Sequence, residues 1–294
     1  MQYFSLDAEH PATLLARDDD GTTVDLTAAG GFNSFRALAQ AAADDGRSID
    51  DLARNALGSS PDAVVDAGVD IDPPSAAGRP VIPDEVWAAG VTYQISEQAR
   101  EAETGMPALY LDVYDADRPE LFFKATPERT VGPGDDVGVR DDSAWDVPEP
   151  ELAVVLCEGA IVGYTVGNDL SSRAVEGENA LYLPQAKIYD RSCAIGPCVV
   201  SPETVTDPHD LTISMTIKRA GETVYEGTTS TAEMVRSCEE LVSWYTRHNH
   251  VPELSVLLTG TSLVPPDSFT LHPGDHIRID IEAIGTLENG VVAV

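Results

Sequence analysis

The sequence predicts an α+β protein built around a rolled, mixed β-sheet. Apolar segments of strand length recur along most of the chain, separated by turns rich in glycine and proline. Strand and helix patterns do not alternate as they do in βαβ units, which argues against a parallel sheet with crossover helices. Leu, Ile, Val and Phe make up about a quarter of the chain, above the roughly one-fifth below which chains fail to form a core.

Residues 1–71 predict a small α+β N-terminal domain, and residues 72–84 predict a linker. The linker is rich in proline and alanine and has no apolar periodicity, so it is the best candidate for a domain boundary. The small domain is expected to contain three strands and two helices with serine N-caps: the strands Tyr3–Leu6, Ala12–Ala16 and Thr22–Thr27, and the helices beginning at Ser34 and Ser48.

Residues 85–294 predict a larger domain in which strands dominate. Two helices are expected, a short one at Ser96–Glu103 and a longer amphipathic one at Thr231–His248. Turn residues at Glu158-Gly159 and Ala220-Gly221-Glu222 predict two hairpins. The predicted strands are Val86–Tyr93, Glu120–Ala125, Glu151–Leu156, Ile161–Val166, Thr212–Arg219, Thr223–Glu226 and His276–Ala283.

The charge of the chain excludes several classes of partner. The sequence has 50 Asp and Glu against 18 Lys and Arg, a formal net charge of −32. Nucleic acids and anionic membranes are bound through basic patches, so neither partner is expected. No apolar run reaches the ~18 residues of a membrane span, and the four cysteines form no C-x-x-C pair. These features predict a reduced, cytoplasmic protein.

Lysine is scarce among the basic residues. Only Lys124, Lys187 and Lys218 are present, an acid-rich and lysine-poor composition that predicts a high-salt cytosol. At molar salt the Debye length falls to about 3 Å, so dense carboxylates no longer repel one another at range. An acidic protein of an ordinary cytosol is the alternative.

Three carboxylates predict a metal site. Glu149 and Glu151 stand at the entry to an apolar strand, and their period-2 spacing places both side chains on one face. Asp169 follows at the end of the next strand. Oxygen ligands of this kind suit Mg²⁺. Acidic residues at this spacing arise by chance about eight times in so acidic a chain, so a solvated strand end is the alternative.

Two of the three lysines are candidates for function. Lys124 follows two phenylalanines and Lys187 lies near Asp190, whereas Lys218 on a predicted hairpin is interpreted as a surface residue. A lysine ammonium is a compact charge that orients a carboxylate or delivers a proton more readily than a guanidinium does. Thr259-Gly260-Thr261 follows an apolar run and offers N–H and O–H donors for a substrate carboxylate, or is a simple turn.

The order of these motifs along residues 85–294 resembles the fumarylacetoacetate hydrolase family. The motifs that carry the resemblance are Gly90-Val91-Thr92-Tyr93, Phe122-Phe123-Lys124, Glu149-Pro150-Glu151-Leu152, the run from Gly163 to Arg173, Lys187–Asp190, Gly196-Pro197, Thr259-Gly260-Thr261 and Gly285–Asn289.

The resemblance implies a mixed β-sandwich roll that assembles as a homodimer or homotetramer. It implies that Glu149, Glu151 and Asp169 hold Mg²⁺, with Mn²⁺ as a substitute, and that the metal chelates a 2-oxo acid. Lys187 would contact the bound oxo acid and Thr261 its carboxylate. Substrate contacts are also expected from two residues near the start of the catalytic domain, Tyr93 and Ser96.

Ser96 departs from the pattern of the family's C–C-cleaving members, which have a water-activating histidine there. The sequence is more similar to the sugar-acid branch, whose members dehydrate 2-keto-3-deoxy-pentonates to 2,5-dioxopentanoate in pentose degradation. Lys187, Glu97 and Glu101 are the nominees for acid–base catalysis, chosen by position. The alternatives are a diketo-acid hydrolase or oxo-acid decarboxylase of the same family, and a non-catalytic sugar-acid-binding protein.

Overall fold

The computed structural model describes residues 1–6, 13–59, 63, 78–94, 113 and 116–294. In chain order the strands are β1 (Gln2–Ser5), β2 (Leu14–Arg17), β3 (Thr23–Asp25), β4 (Glu85–Gly90), β5 (Glu120–Ala125), β6 (Thr130–Val131), β7 (Asp136–Val139), β8 (Asp146–Val147), β9 (Pro150–Cys157), β10 (Ala160–Asp169), β11 (Ser171–Ser172), β12 (Cys193–Val200), β13 (Thr212–Arg219), β14 (Glu222–Ser230), β15 (Leu254–Leu258), β16 (His276–Ile281) and β17 (Gly285–Ala293). The α-helices are α1 (Leu26–Gly30), α2 (Phe35–Asp45), α3 (Ile49–Ser59), α4 (Arg173–Glu178), α5 (Leu183–Lys187) and α6 (Cys238–Thr246).

The strands form two main sheets, which confirms the mixed α+β prediction. The larger sheet has the order β3-β2-β1-β12-β10-β9-β15-β4-β5, with β6 paired to β12, and the smaller has the order β14-β13-β16-β17-β7. A two-stranded ribbon joins β8 and β11. Most pairs are antiparallel, but β4 runs parallel to β15, β6 to β12 and β7 to β17.

The larger sheet is buried on both faces near its centre. Every residue of β9 is buried, as expected for a strand with packing on two sides. Leu152, Val154 and Leu156 join the apolar core shared with the smaller sheet and α6. Ala153 and Val155 alternate with them and join a second core formed with α2 and α3. Both hairpins predicted from the sequence are present, as β9–β10 and β13–β14.

The helix predicted over Thr231–His248 is shorter in the structure. The α-helix begins at Cys238, where Ser237 caps it by accepting a hydrogen bond from the Glu240 N–H. Upstream, Met234 is extended and forms an isolated bridge with Tyr93, while the Val235 N–H donates to the Thr92 carbonyl. These long-range backbone contacts outweigh the local helical pattern.

The N-terminal strands extend the larger sheet. β1 pairs with β12 through Gln2 opposite Val200 and Tyr3 opposite Val199, and β2 and β3 continue the sheet outward. The serine N-caps predicted for α2 and α3 are present at Ser34 and Ser48. The division into domains at residues 72–84 stays a prediction, because residues 72–77 lie outside the described part.

The four cysteines are buried and free of disulfides. Within the described residues no helix is long and apolar enough to cross a membrane.

Candidate active site

A cavity of about 720 Å³ opens where the ends of several strands of the larger sheet meet. The β9–β10 hairpin delivers the carboxylates, β4 and β5 form a wall, and the turn after β15 closes one side. Its lining includes Tyr93, Glu120, Glu149, Glu151, Asp169, Arg173, Lys187, Gly260 and Thr261.

The three predicted carboxylates come together at one edge of the sheet. One carboxylate oxygen from each of Glu149, Glu151 and Asp169 lies within 4.8 Å of the others, and all three residues are buried. The hairpin accounts for this, because Asp169 closes β10 directly beside the start of β9 and its N–H donates to the Glu149 carbonyl at 2.9 Å. This is a concentrated negative charge with little access to water.

Three cations surround the carboxylates. The Lys187 Nζ lies 2.6 Å from Glu149 Oε2 and 3.1 Å from Asp169 Oδ2, so one ammonium bridges two of the three acids. The Arg173 guanidinium lies 2.6 Å from the other Glu149 oxygen. Lys124, which is fully buried, lies 2.6 Å from Asp169 Oδ1. Glu149 and Asp169 therefore have cationic neighbours at ion-pair distance.

The carboxylates of Glu149 and Glu151 differ in how readily they bind a proton. Burial alone would raise the pKa of Glu149, but the charges of Lys187 and Arg173 outweigh it and lower that pKa to about 2. Burial raises the pKa of Glu151 well above its usual range, and the neighbouring Asp169 and Glu149 raise it further. Burial lowers the pKa of Lys187, but the charges of Asp169 and Glu149 outweigh it and raise that pKa above its usual range.

The cluster fits a divalent metal ion with oxygen ligands. Its donors are three carboxylates, the type that Mg²⁺ prefers. The Lys187 ammonium bridges Glu149 and Asp169, which shows that these two carboxylates are placed to share one positive charge. Burial and the neighbouring Asp169 and Glu149 disfavour the ionised form of Glu151 more than the charge of Lys187 favours it, and a metal ion would add a positive charge that favours it. The residues present are therefore compatible with the metal that the sequence predicts.

The turn after β15 positions Glu151. The Gly260 N–H donates to Glu151 Oε2 at 2.5 Å, and the Thr259 hydroxyl donates to the Leu152 carbonyl at 2.8 Å. The Gly260 donor considered for a substrate carboxylate is thus engaged by Glu151. Thr261 does line the cavity, and its Oγ1 accepts a hydrogen bond from the Leu263 N–H at 3.0 Å.

Gly260 is constrained by its backbone and by its neighbours. Its φ is +85°, and a Cβ there would lie 2.2 Å from Thr92 Oγ1 and 2.9 Å from the Ala89 carbonyl oxygen. We expect Gly260→Ala to lower the free energy of unfolding by about 1–3 kcal/mol, through backbone strain and overpacking. It should also weaken metal binding by displacing the N–H that orients Glu151.

Denaturant unfolding and Mn²⁺ titration check this expectation. Gly221→Ala is the matched control, because Gly221 has a similar φ of +86° but open space around a Cβ. Equal losses of stability in both variants, with unchanged Mn²⁺ affinity, would contradict the role given to Gly260.

Tyr93 offers an unsatisfied polar group beside the carboxylates. Its side chain is buried and lines the cavity, and its hydroxyl has no hydrogen-bond partner among the residues that the structure describes. Burial raises the pKa of Tyr93 and nearby Glu151 raises it further, so the hydroxyl keeps its proton. A buried hydroxyl without a partner costs free energy, which is consistent with a ligand as its intended partner.

Glu120 is a site residue that the sequence reasoning missed. It begins β5, is half-buried and lines the cavity. Its carboxylate lies over Gly90 on β4, where a Cβ would come within 2.1 Å of Glu120 Oε2. Burial raises the pKa of Glu120, while the charge of Lys187 acts in the opposite direction. Its place at the start of an apolar strand, two residues before Phe122, was the signal available.

Three other predicted residues lie outside the described part of the chain. These are Ser96, Glu97 and Glu101, together with the rest of the helix predicted at Ser96–Glu103. Their roles stay predictions. Lys187 and Tyr93, nominated with them, both line the cavity.

Sequence comparisons give the family context of this site. The family model described as "Fumarylacetoacetate (FAA) hydrolase C-terminal" matches residues 85–292. The chain is 62% identical over 281 residues to a probable 2-keto-3-deoxyxylonate dehydratase of Haloferax volcanii, with 95% of this chain and 96% of the relative covered. It is 44% identical over 214 residues to a 2-dehydro-3-deoxy-D-arabinonate dehydratase of Saccharolobus solfataricus, with 71% and 72% covered.

The fold also matches solved structures. A structure of 2-keto-3-deoxy-D-arabinonate dehydratase complexed with magnesium and 2,5-dioxopentanoate has a TM-score of 0.83 and 33% sequence identity, with 100% of this chain and 99% of that chain covered. The fold predicted for the larger part of the chain is thereby confirmed.

Proposed function

This chain belongs to the fumarylacetoacetate hydrolase family, and we propose that it is a Mg²⁺-dependent dehydratase of 2-keto-3-deoxy-pentonates. The product would be 2,5-dioxopentanoate. The observation that carries the proposal is the buried cluster of Glu149, Glu151 and Asp169 in the cavity, where Lys187 bridges Glu149 and Asp169. Identity of 62% to a probable 2-keto-3-deoxyxylonate dehydratase supports the same reaction.

Glu149, Glu151 and Asp169 would hold the metal, with Mg²⁺ as the natural ion and Mn²⁺ as a substitute. When bound, the ion supplies Lewis acidity that polarises the C2 carbonyl and makes the C3 proton more acidic. Around the three ligands, Arg173 fixes one Glu149 oxygen and the Gly260 N–H fixes one Glu151 oxygen. Outer hydrogen bonds of this kind set the orientation of metal ligands.

Three side chains are assigned to substrate binding. Lys187 lies beside the carboxylates and lines the cavity. Its positive charge would attract the negatively charged carboxylate of a 2-oxo acid. Thr261 lines the same cavity, and its hydroxyl would donate a hydrogen bond to the substrate carboxylate. The Tyr93 hydroxyl has no partner within the described protein and would bind a substrate oxygen.

Glu120 is assigned to proton transfer. Dehydration removes a proton from C3 and the hydroxyl from C4, which leaves a C3–C4 double bond conjugated with the C2 carbonyl. Tautomerisation then moves protons from C5 and its hydroxyl to C3 and C4, giving the aldehyde of 2,5-dioxopentanoate. A carboxyl whose pKa is raised by burial, as that of Glu120 is, is suited to accept a proton and return it to the departing hydroxyl.

Product identification tests this function. The protein is incubated with Mg²⁺ in molar KCl with 2-keto-3-deoxy-pentonates and, separately, with acylpyruvates, and both 2,5-dioxopentanoate and pyruvate are quantified. We expect the dioxo acid from the pentonates and no cleavage of the acylpyruvates. Pyruvate without the dioxo acid would indicate a C–C hydrolase or a decarboxylase and would reject the dehydratase.

The cellular setting and assembly are also proposals. The net charge of −32 with only three lysines, and a close relative from Haloferax volcanii, support a cytoplasm of high ionic strength. Membership of the family supports a homodimer or homotetramer. Light scattering in molar KCl measures the assembly directly.

A further inference from the structure

Lys124 is the most deeply buried charged side chain near the site, and the proposed mechanism gives it no chemical role. It lies on β5, its side chain has no exposed surface, and it does not line the cavity. An ammonium removed from water is costly unless several acceptors surround it. The groups that surround Lys124 therefore indicate what it is for.

Lys124 contacts the carboxylate cluster from the buried side, away from the cavity. Its Nζ donates hydrogen bonds to the Leu170 carbonyl at 2.9 Å and to the Lys187 carbonyl. It also lies 2.6 Å from Asp169 Oδ1, at ion-pair distance but without hydrogen-bond geometry. The ring of Tyr189, with its centroid 5.8 Å from Nζ, covers another side.

These contacts join two separate parts of the site. Leu170 follows Asp169 at the end of β10, and the Lys187 carbonyl closes α5, so one ammonium ties the strand that presents a ligand to the helix that presents Lys187. The two oxygens of Asp169 are divided between the two lysines. Oδ1 faces Lys124, and Oδ2 shares the Lys187 ammonium with Glu149.

We propose that Lys124 is a positioning residue that fixes Asp169 with Oδ1 on its own side and Oδ2 on the side of Glu149, where Oδ2 would be available to a metal ion. The inference rests on the proposed metal site and adds a residue that touches neither substrate nor metal. The affinity for the metal distinguishes an orienting role of Lys124 from simple charge balance. Loss of orientation weakens metal binding, whereas loss of a nearby positive charge alone strengthens it.

Mn²⁺ binding to the purified protein measures this effect without reference to turnover. We expect Lys124→Met to weaken Mn²⁺ binding by about 10- to 100-fold, the usual cost of losing a partner that orients a metal ligand. The electron paramagnetic resonance spectrum of the bound Mn²⁺ should also change, because Asp169 is free to rotate. Lys218→Met is the matched control, since Lys218 is exposed on β13, and it should retain wild-type affinity and spectrum.

Lys124→Gln is measured in parallel, because a buried methionine leaves two carbonyls without donors and can destabilise the chain. The glutamine amide keeps a donor for a carbonyl but has no charge. Unchanged or tighter Mn²⁺ binding in either folded variant overturns the inference while leaving the metal site intact. Absence of Mn²⁺ binding in the wild-type protein overturns the proposed metal site and this inference together.

Discussion

Glu151→Gln is expected to lower turnover of a 2-keto-3-deoxy-pentonate by more than about 100-fold. Loss of an outer partner of a metal ligand already costs 10- to 100-fold, and Glu151 is itself assigned as a ligand. The substitution is nearly isosteric, and the amide oxygen can still accept the hydrogen bond from Gly260. The expected defect is therefore loss of the metal, measured by Mg²⁺-dependent product formation and by Mn²⁺ titration.

The free energy of unfolding of the Glu151 variant separates loss of the metal from misfolding. In the metal-free protein the pKa of Glu151 is raised relative to the unfolded chain. At pH values above the unfolded pKa, this carboxyl therefore lowers the free energy of unfolding. A neutral glutamine removes that penalty, and the metal-free variant should be at least as stable as the wild type at neutral pH. Glu226→Gln, at an exposed position of β14, is the control. Full Mg²⁺-dependent activity in the Glu151 variant would show that this carboxylate is not a ligand.

Glu120→Gln is expected to lower turnover by about 10²- to 10⁴-fold, the range typical of a lost acid–base group. The amide has the same shape but neither accepts nor returns the C3 proton. Glu120 is not among the three clustered carboxylates, so Mn²⁺ affinity should stay at the wild-type value. The measurement is steady-state turnover at saturating Mg²⁺, paired with Mn²⁺ titration of the same sample.

Turnover and Mn²⁺ affinity of the Glu120 variant together can also contradict the assignment of Glu120 to proton transfer. Glu222→Gln, at an exposed position of β14, controls for the loss of one surface carboxylate. Near-normal turnover in the Glu120 variant would leave proton transfer to Lys187 or to the predicted residues Glu97 and Glu101. A loss of Mn²⁺ affinity equal to the loss of turnover would place Glu120 in the metal shell instead.

The metal cluster was predictable because it depends on short-range patterns. Glu149 and Glu151 are two residues apart at a strand entry, and a tight hairpin brings Asp169 back beside them. Neither pattern requires knowledge of distant parts of the chain. Lys187 stood out because lysine is rare in this sequence, and its ammonium does contact Glu149 and Asp169.

Glu120 could not be predicted in the same way, because its place depends on a long-range strand pair. It reaches the cavity because β5 pairs with β4 and sets Glu120 opposite Gly90, which leaves room for the carboxylate. In the sequence it is one of 50 acidic residues, and its place at the start of a predicted apolar strand does not show which residues it will face. Lys124 was noticed for its rarity, but its contacts with the Leu170 and Lys187 carbonyls emerge only in the folded chain.

Long-range pairing also accounts for the elements whose bounds differ from prediction. The amphipathic pattern over Thr231–His248 predicts one helix, yet the backbone at Met234 and Val235 pairs with the segment after β4. The sequence predicts the N-terminal strands within a small domain but not their partner, and in the structure β1 pairs with β12 of the larger sheet. Periodicity describes which face of an element is apolar, and it does not identify the strand or helix that will cover that face.

Titration of metal-stripped protein with Mg²⁺, followed by quantifying 2,5-dioxopentanoate formed from a 2-keto-3-deoxy-pentonate, tests the central claim most directly. The expected result is no product without metal, and activity that saturates when one ion is bound per chain. Equal rates of product formation in the stripped and the reconstituted protein would contradict it, because Glu149, Glu151 and Asp169 would then have no metal to hold during the reaction.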